Sequence, residues 1–141
     1  KEKENETMKK MNNKGFSLIE LIIVIAIMAI LVAIIAPNLT KYLGSSKEET
    51  DKKNLDEVVA QVKNCISDAS IQEISVTTGN YVYDGTTCEL NGTTINSFGN
   101  LVAVALDGAS AKSKVDPNKK TIKIAVSANS NGGYNVTASF S

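Results

Sequence analysis

The order of apolar and polar positions divides the chain into three stretches with three different periods. Residues 16–36 are apolar on every side, with one charge among them, Glu20. As a helix this run is about 31 Å long, the thickness of a bilayer's hydrocarbon core. From Ser45 onward the pattern becomes amphipathic. Leu55, Val58, Val59, Val62, Cys65, Ile66 and Ala69 recur at three- and four-residue spacing and form one apolar stripe. Charges such as Lys47, Glu48, Glu49, Asp51, Lys52 and Lys53 take the other positions. After Ala69 the period drops to two. Ile122, Ile124, Val126 and Ala128 alternate with polar or small residues, residues 129–133 read as a loop, and Tyr134, Val136, Ala138 and Phe140 alternate again. That pattern predicts a hairpin with one buried face.

These periods predict an α+β fold. One long helix covers residues 16–69, roughly 80 Å at 1.5 Å per residue, and its second half lays its stripe on a small antiparallel sheet of four to six short strands. The stripe spans only about two heptads, too few for a coiled coil. Asn91-Gly92 is the strongest short turn signal, and Asp116-Pro117-Asn118 is another. Residues 101–106 read as a short apolar strand ended by Asp107-Gly108. Pro37 removes a backbone donor and crowds the preceding turn, so a kink or local melting is expected there, with Gly44 a second soft spot.

Composition narrows the chemistry. The chain has 141 residues, 15 basic and 15 acidic, and every base is Lys. Without Arg there are no guanidinium forks for bidentate phosphate recognition. Without a basic excess there is no footprint for duplex nucleic acid, and none is expected as a partner. His is absent, which removes the commonest general base and metal ligand. No nucleophile–base pair can be built, no Gly-rich phosphate loop is present, and Asp84, Asp107 and Asp116 are scattered turn residues rather than a calcium loop. An enzyme, a cofactor and a metal site are therefore not expected. Asn38, Asn91 and Asn135 begin glycosylation-type triplets, which arise by chance in a chain rich in Asn and Thr.

Lys9, Lys10 and Lys14 precede the apolar run, so the positive-inside rule keeps the N-terminus cytoplasmic and exports the residues beyond Pro37. A secretory signal peptide fits poorly. Its apolar core is shorter, and here bulky Ile34 stands two places before the best cleavage point at Ala36. No Cys follows the run to carry a lipoprotein anchor. Glu20 matters most, because a carboxylate at mid-membrane costs about 2.5–3.5 kcal/mol, and intramembrane acids are functional by default.

Lys14-Gly15-Phe16-Ser17-Leu18-Ile19-Glu20, followed by an unbroken apolar run, Pro37 and Tyr42, resembles the processing motif of type IV pilins and type II secretion-type pseudopilins. The resemblance covers residues 9–70. It implies a pilin-like fold and removal of a leader, residues 1–15, by the prepilin peptidase. That enzyme cuts after Gly15 and methylates the new N-terminal Phe16. With Met8 as initiator the leader would be eight residues long, leaving residues 1–7 to an upstream start. Residues 16–44 then form the transmembrane and assembly helix, and residues 45–141 the globular domain. Glu20 and Pro37 become assembly residues, and the expected partners are further copies of the chain in a helical filament, the prepilin peptidase, the pilus assembly machinery and the cytoplasmic membrane.

Cleavage would give Phe16 a free ammonium. It could pair with Glu20 of its own chain, four residues on, or with Glu20 of a subunit already in a filament, and the resemblance favours the second. A carboxylate with few acceptable positions would set the axial register of otherwise greasy helices. Cys65 and Cys88 are the only cysteines. On an oxidising exported side they could bridge helix to sheet, closing about 23 residues and adding about 3 kcal/mol; the alternative is a pair of buried thiols. Many Gram-negative pilins instead bridge a loop near the C-terminus. The expected function is a structural subunit, the major pilin, of a type IV pilus, single-pass in the membrane before assembly and extracellular afterwards. Adhesion and twitching motility are among the roles such filaments serve. The alternatives are a pseudopilin of a secretion or competence system, and a membrane-anchored extracellular binding domain that never assembles.

Overall fold

A computed structural model describes residues 15–92 and 94–141. The expected leader, apart from Gly15, and the flanking Lys9, Lys10 and Lys14 lie outside the described residues, as does Thr93 beside the Asn91-Gly92 turn. The elements run α1 (Leu18–Ile71), β1 (Gly79–Tyr83), β2 (Cys88–Leu90), α2 (Ser97–Ala105), β3 (Ile122–Ala128) and β4 (Tyr134–Phe140). The chain divides between Lys41 and Tyr42 into two units.

The first unit is the apolar part of α1. From Leu18 to Leu39 every large apolar side chain keeps at least 47% of its surface exposed among the described residues. Helical backbone continues through Pro37 and Gly44, and the melting anticipated at Pro37 does not occur. Pro37 still cannot donate to the carbonyl one turn earlier. The Thr40 hydroxyl adds side-chain bonds just beyond it, donating to the Pro37 carbonyl at 2.9 Å and to that of Ala36 at 3.3 Å.

In the second unit the rest of α1 packs on a four-stranded antiparallel sheet of order β2-β1-β3-β4. The predicted stripe is the contact. Val58, Val62, Cys65 and Ala69 are buried, and Leu55, Val59 and Ile66 pack beside them. They meet Tyr81, Tyr83, Ile122, Ile124 and Val126, the alternate residues of β1 and β3. Burial of each large aliphatic side chain contributes about 1.5–3 kcal/mol. The expected β3–β4 hairpin forms, with Val126 opposite Val136 and Ile124 opposite Ala138. Asn91-Gly92 turns with both φ values positive, at 54° and 73°, and closes a single bridge between Leu90 and Thr94.

Helix α1 stops at a left-handed residue. Glu73 has φ 56°, and the Ile74 N–H reaches back to the Ala69 carbonyl at 2.9 Å, a Schellman closure with Ile74 against the core. Glycine is the usual occupant, because a side chain there costs roughly 1–2 kcal/mol. Glu73→Gly is expected to stabilise the domain by about 0.5–1 kcal/mol, read as a higher denaturation midpoint.

Residues 101–106 are not a strand. They belong to α2 and its C-cap, Leu106. The alternation of large and small residues there is compatible with both periods, and two features select the helix. Asn96 caps it by accepting from the Gly99 N–H at 2.6 Å. Phe98, Val102 and Leu106, four apart, are all buried. Tyr81 meets Phe98 edge-on with ring centroids 5.6 Å apart, and the Tyr83 hydroxyl donates to the Leu106 carbonyl at 2.8 Å. Gly99 lets α2 approach β2: a Cβ there would sit 2.7 Å from the Cys88 carbonyl oxygen. Alanine is the better helix former by about 1 kcal/mol, but a backbone oxygen cannot give way. Gly99→Ala is therefore expected to destabilise by about 1–3 kcal/mol net, measurable by denaturant unfolding.

Candidate functional site

The first helical turn carries the chemistry singled out in the sequence. Gly15 and Phe16 are exposed, and Phe16 keeps 90% of its surface accessible. Ser17 stands immediately before the helix. Its N–H donates to Glu20 Oε2 at 3.4 Å, and its Oγ accepts from the Glu20 N–H at 3.3 Å. This is a reciprocal capping box, which occupies two of the otherwise unpartnered donors at a helix N-terminus. Ser17 was missed in the sequence, although Ser-x-x-Glu before an apolar run is itself the signature. The carboxylate thus sits at the positive end of the helix dipole, one turn from the Gly15–Phe16 peptide bond. Pro37 lies five helical turns further along the same segment and does not share this site.

Cys65 and Cys88 are both buried and carry free thiols. Cys65 Sγ lies 3.9 Å from the Leu101 carbonyl oxygen. Burial, and then the charges of Cys65 and Asp84, push the Cys88 thiol up to about 12. Burial and the nearby Asp68 also raise Cys65. Both are protonated at neutral pH and therefore weak nucleophiles.

A second constellation was not anticipated. Asp51, expected on the solvated side of α1, is only 7% exposed. It falls one turn before Leu55, on the stripe itself, and that position was the signal for its burial. Its carboxylate accepts from the Ser113 hydroxyl, from the Lys114 N–H at 2.6 Å and from the Val115 N–H at 3.2 Å. Ser113 Oγ in turn accepts from the N–H groups of Val115 and Asp116. Burial opposes the charge, but these hydrogen bonds outweigh it and hold the carboxyl below its ordinary range. Asp84, in the exposed β1–β2 turn, accepts from the N–H and hydroxyl groups of Thr86 and Thr87. Those bonds lower it to about 2. Both carboxylates order loops.

The family model describing the prokaryotic N-terminal methylation motif matches residues 10–36, and the chain carries that motif. It is 38% identical over 76 residues to "Prepilin peptidase-dependent protein A" of Clostridium perfringens, a match covering 50% of this chain and 54% of that protein. It is 45% identical over 56 residues to "Type IV major pilin protein PilA" of Myxococcus xanthus, covering 40% of this chain and 26% of that protein. The matched region spans about half or less of the length of these curated relatives. No solved structure matches. The chain is type IV pilin-like in its N-terminal motif, and its long helix on a small antiparallel sheet is consistent with a pilin fold.

Proposed function

We propose that this chain is the structural subunit, the major pilin, of a type IV pilus, and that it polymerises through the apolar part of α1. One observation carries the reading. An apolar helix of bilayer length, its large side chains exposed among the described residues, begins with a carboxylate inside the matched methylation motif. The prepilin peptidase on which the Clostridium relative depends, by its name, is the proposed processing enzyme. Cleavage between Gly15 and Phe16 releases an ammonium on Phe16, and methylation of that nitrogen leaves it cationic. The chain then spans the cytoplasmic membrane once, with Phe16 at the inner face, until it is extracted into the filament.

The Ser17–Glu20 capping box supports a specific sequence of events. Before assembly, the Ser17 N–H and the helix dipole partly offset the cost of holding a carboxylate at the membrane boundary. On docking, the Phe16 ammonium of the incoming subunit offers Glu20 of its neighbour a full charge, stronger than one neutral N–H. Because that pair has one acceptable axial position, it fixes the register of helices that could otherwise slide, and Pro37 keeps its place as an assembly residue further along the same surface. After export, Cys65 and Cys88 are proposed to bridge, joining α1 to β2.

Intact mass and N-terminal sequencing of the protein from its native cell test the reading. The expected product begins at Phe16, is heavier by one methyl substitution and lighter by the two hydrogens of a disulfide, and comes from sheared surface filaments. A chain that retains the Gly15–Phe16 bond would be a plain anchored domain, and a processed chain that stays monomeric would not be a pilin.

A further inference from the structure

Helix α1 stops just short of the bond proposed to be cut. Gly15, Phe16 and Ser17 lie outside it, and its first residue is Leu18. The Leu21 N–H donates to the Ser17 carbonyl at 3.3 Å. Ser17 therefore stands at the N-cap, the position whose carbonyl accepts the first bond of the helix. A longer helix would aim the Glu20 N–H at the Phe16 carbonyl, four residues back. Ser17 Oγ accepts that N–H instead, at 3.3 Å. Among the described residues, no hydrogen bond uses the backbone of Gly15 or Phe16, and a Cβ on Gly15 would meet nothing within 4 Å. Hydropathy gives no reason for the helix to end here, because Phe16 is as apolar as the run it precedes. Without the Ser17 hydroxyl, Gly15 is an acceptable N-cap one step upstream. The helix would then take in Phe16, and the Gly15–Phe16 bond would become its first peptide link.

We propose that Ser17 is a positioning residue for the processing peptidase: its hydroxyl ends α1 at Leu18 and leaves the Gly15–Phe16 bond in non-helical backbone that the enzyme can take. This rests on the reading that the Gly15–Phe16 bond is cut, and adds which side chain makes it available. Proteolysis follows the population of locally open backbone, so a residue that fixes where the helix begins sets how often the scissile bond is free. The two halves of the capping box then have separate tasks. Ser17 Oγ holds the backbone N–H of residue 20, which does not depend on the side chain there, so the helix stop survives substitution of Glu20. The Glu20 carboxylate, bound to the Ser17 N–H at 3.4 Å, is left for docking.

The test follows cleavage of the full-length chain over time, by intact mass, in native-cell membranes that contain the peptidase. Ser17→Ala is expected to be cut between Gly15 and Phe16 about five-fold more slowly, the effect of losing one N-cap. Ser17→Thr and Ser17→Asn also cap, and are expected to be cut within about two-fold of the ordinary rate. Asparagine shares the capping oxygen with serine but neither its hydroxyl nor its size, so its rescue separates helix stopping from direct recognition of Ser17 by the enzyme. In the uncut chain in detergent micelles, the Phe16 Cα chemical shift is expected to become helical in Ser17→Ala and to stay non-helical in Ser17→Asn. Ordinary cleavage of Ser17→Ala, cleavage of Ser17→Asn as slow as that of Ser17→Ala, or a Phe16 that stays non-helical in Ser17→Ala would each overturn the positioning role and leave the pilin reading standing. An unsubstituted chain that keeps its Gly15–Phe16 bond in these membranes would overturn both.

Discussion

Glu20→Val is expected to abolish surface filaments while leaving the chain in the membrane and cleaved at Phe16. Valine fits the apolar run better than glutamate does, so insertion and helix formation should improve. The loss is that of a partner for an ammonium that docking would carry into hydrocarbon. Removing one member of a buried ion pair costs about 3–5 kcal/mol because the other is left unpaired, equivalent to at least a hundred-fold fewer filaments. The capping box complicates the interpretation of valine alone, since valine also removes the Ser17 N–H acceptor. Glu20→Gln separates the two effects. Glutamine serves a capping box as well as glutamate does but carries no charge, so it should start the helix normally and still give no filaments. Filaments at ordinary yield from the glutamine variant would mean that shape and capping suffice, and the charge pairing would be wrong.

How much the residues reveal depends on how local each signal is. The long helix, its exposed apolar half and the β3–β4 hairpin came from periods sustained over seven or more residues, and the stripe from Leu55 to Ala69 named the packing face. The element at residues 101–106 was misassigned because Val102, Val104 and Leu106 satisfy period two while Phe98, Val102 and Leu106 satisfy period four. The local Asn96 cap and the burial of Phe98, Val102 and Leu106, which is a tertiary fact, decide between them. Asp51 was misplaced for a related reason. A charged residue on a stripe is assigned to solvent unless its partners are known, and its partners lie more than sixty residues away in sequence.

Asp51→Leu is expected to destabilise the globular unit strongly. Leucine would suit a buried position on an apolar stripe, which on transfer energetics alone argues for a gain. The hydrogen bonds decide otherwise. Two donors, the Ser113 hydroxyl and the Lys114 N–H, would lose their acceptor, and the Val115 N–H would keep only Ser113 Oγ, at about 1–3 kcal/mol for each donor left unpartnered and buried. The loop can relax toward water, so a net cost of about 3 kcal/mol is expected, a fall in melting temperature on the order of 10–20 °C for a domain of this size. Asp51→Asn should cost less, because an amide keeps one acceptor oxygen but points an N–H₂ group at groups that already donate. The carboxyl also predicts a pH dependence of defined sign. Its folded pKa lies below the unfolded value, so its contribution is complete above the ordinary carboxylate range and is lost as pH falls through the folded pKa. Asp84, held at about 2, is lost in the same direction, so the unsubstituted protein alone cannot assign the effect. The difference in unfolding free energy between wild type and Asp51→Asn isolates Asp51. It should be largest near neutral pH and shrink on acidification. A difference that stays constant with pH would show that the loop is held by shape, and that the carboxylate on α1 does not order it.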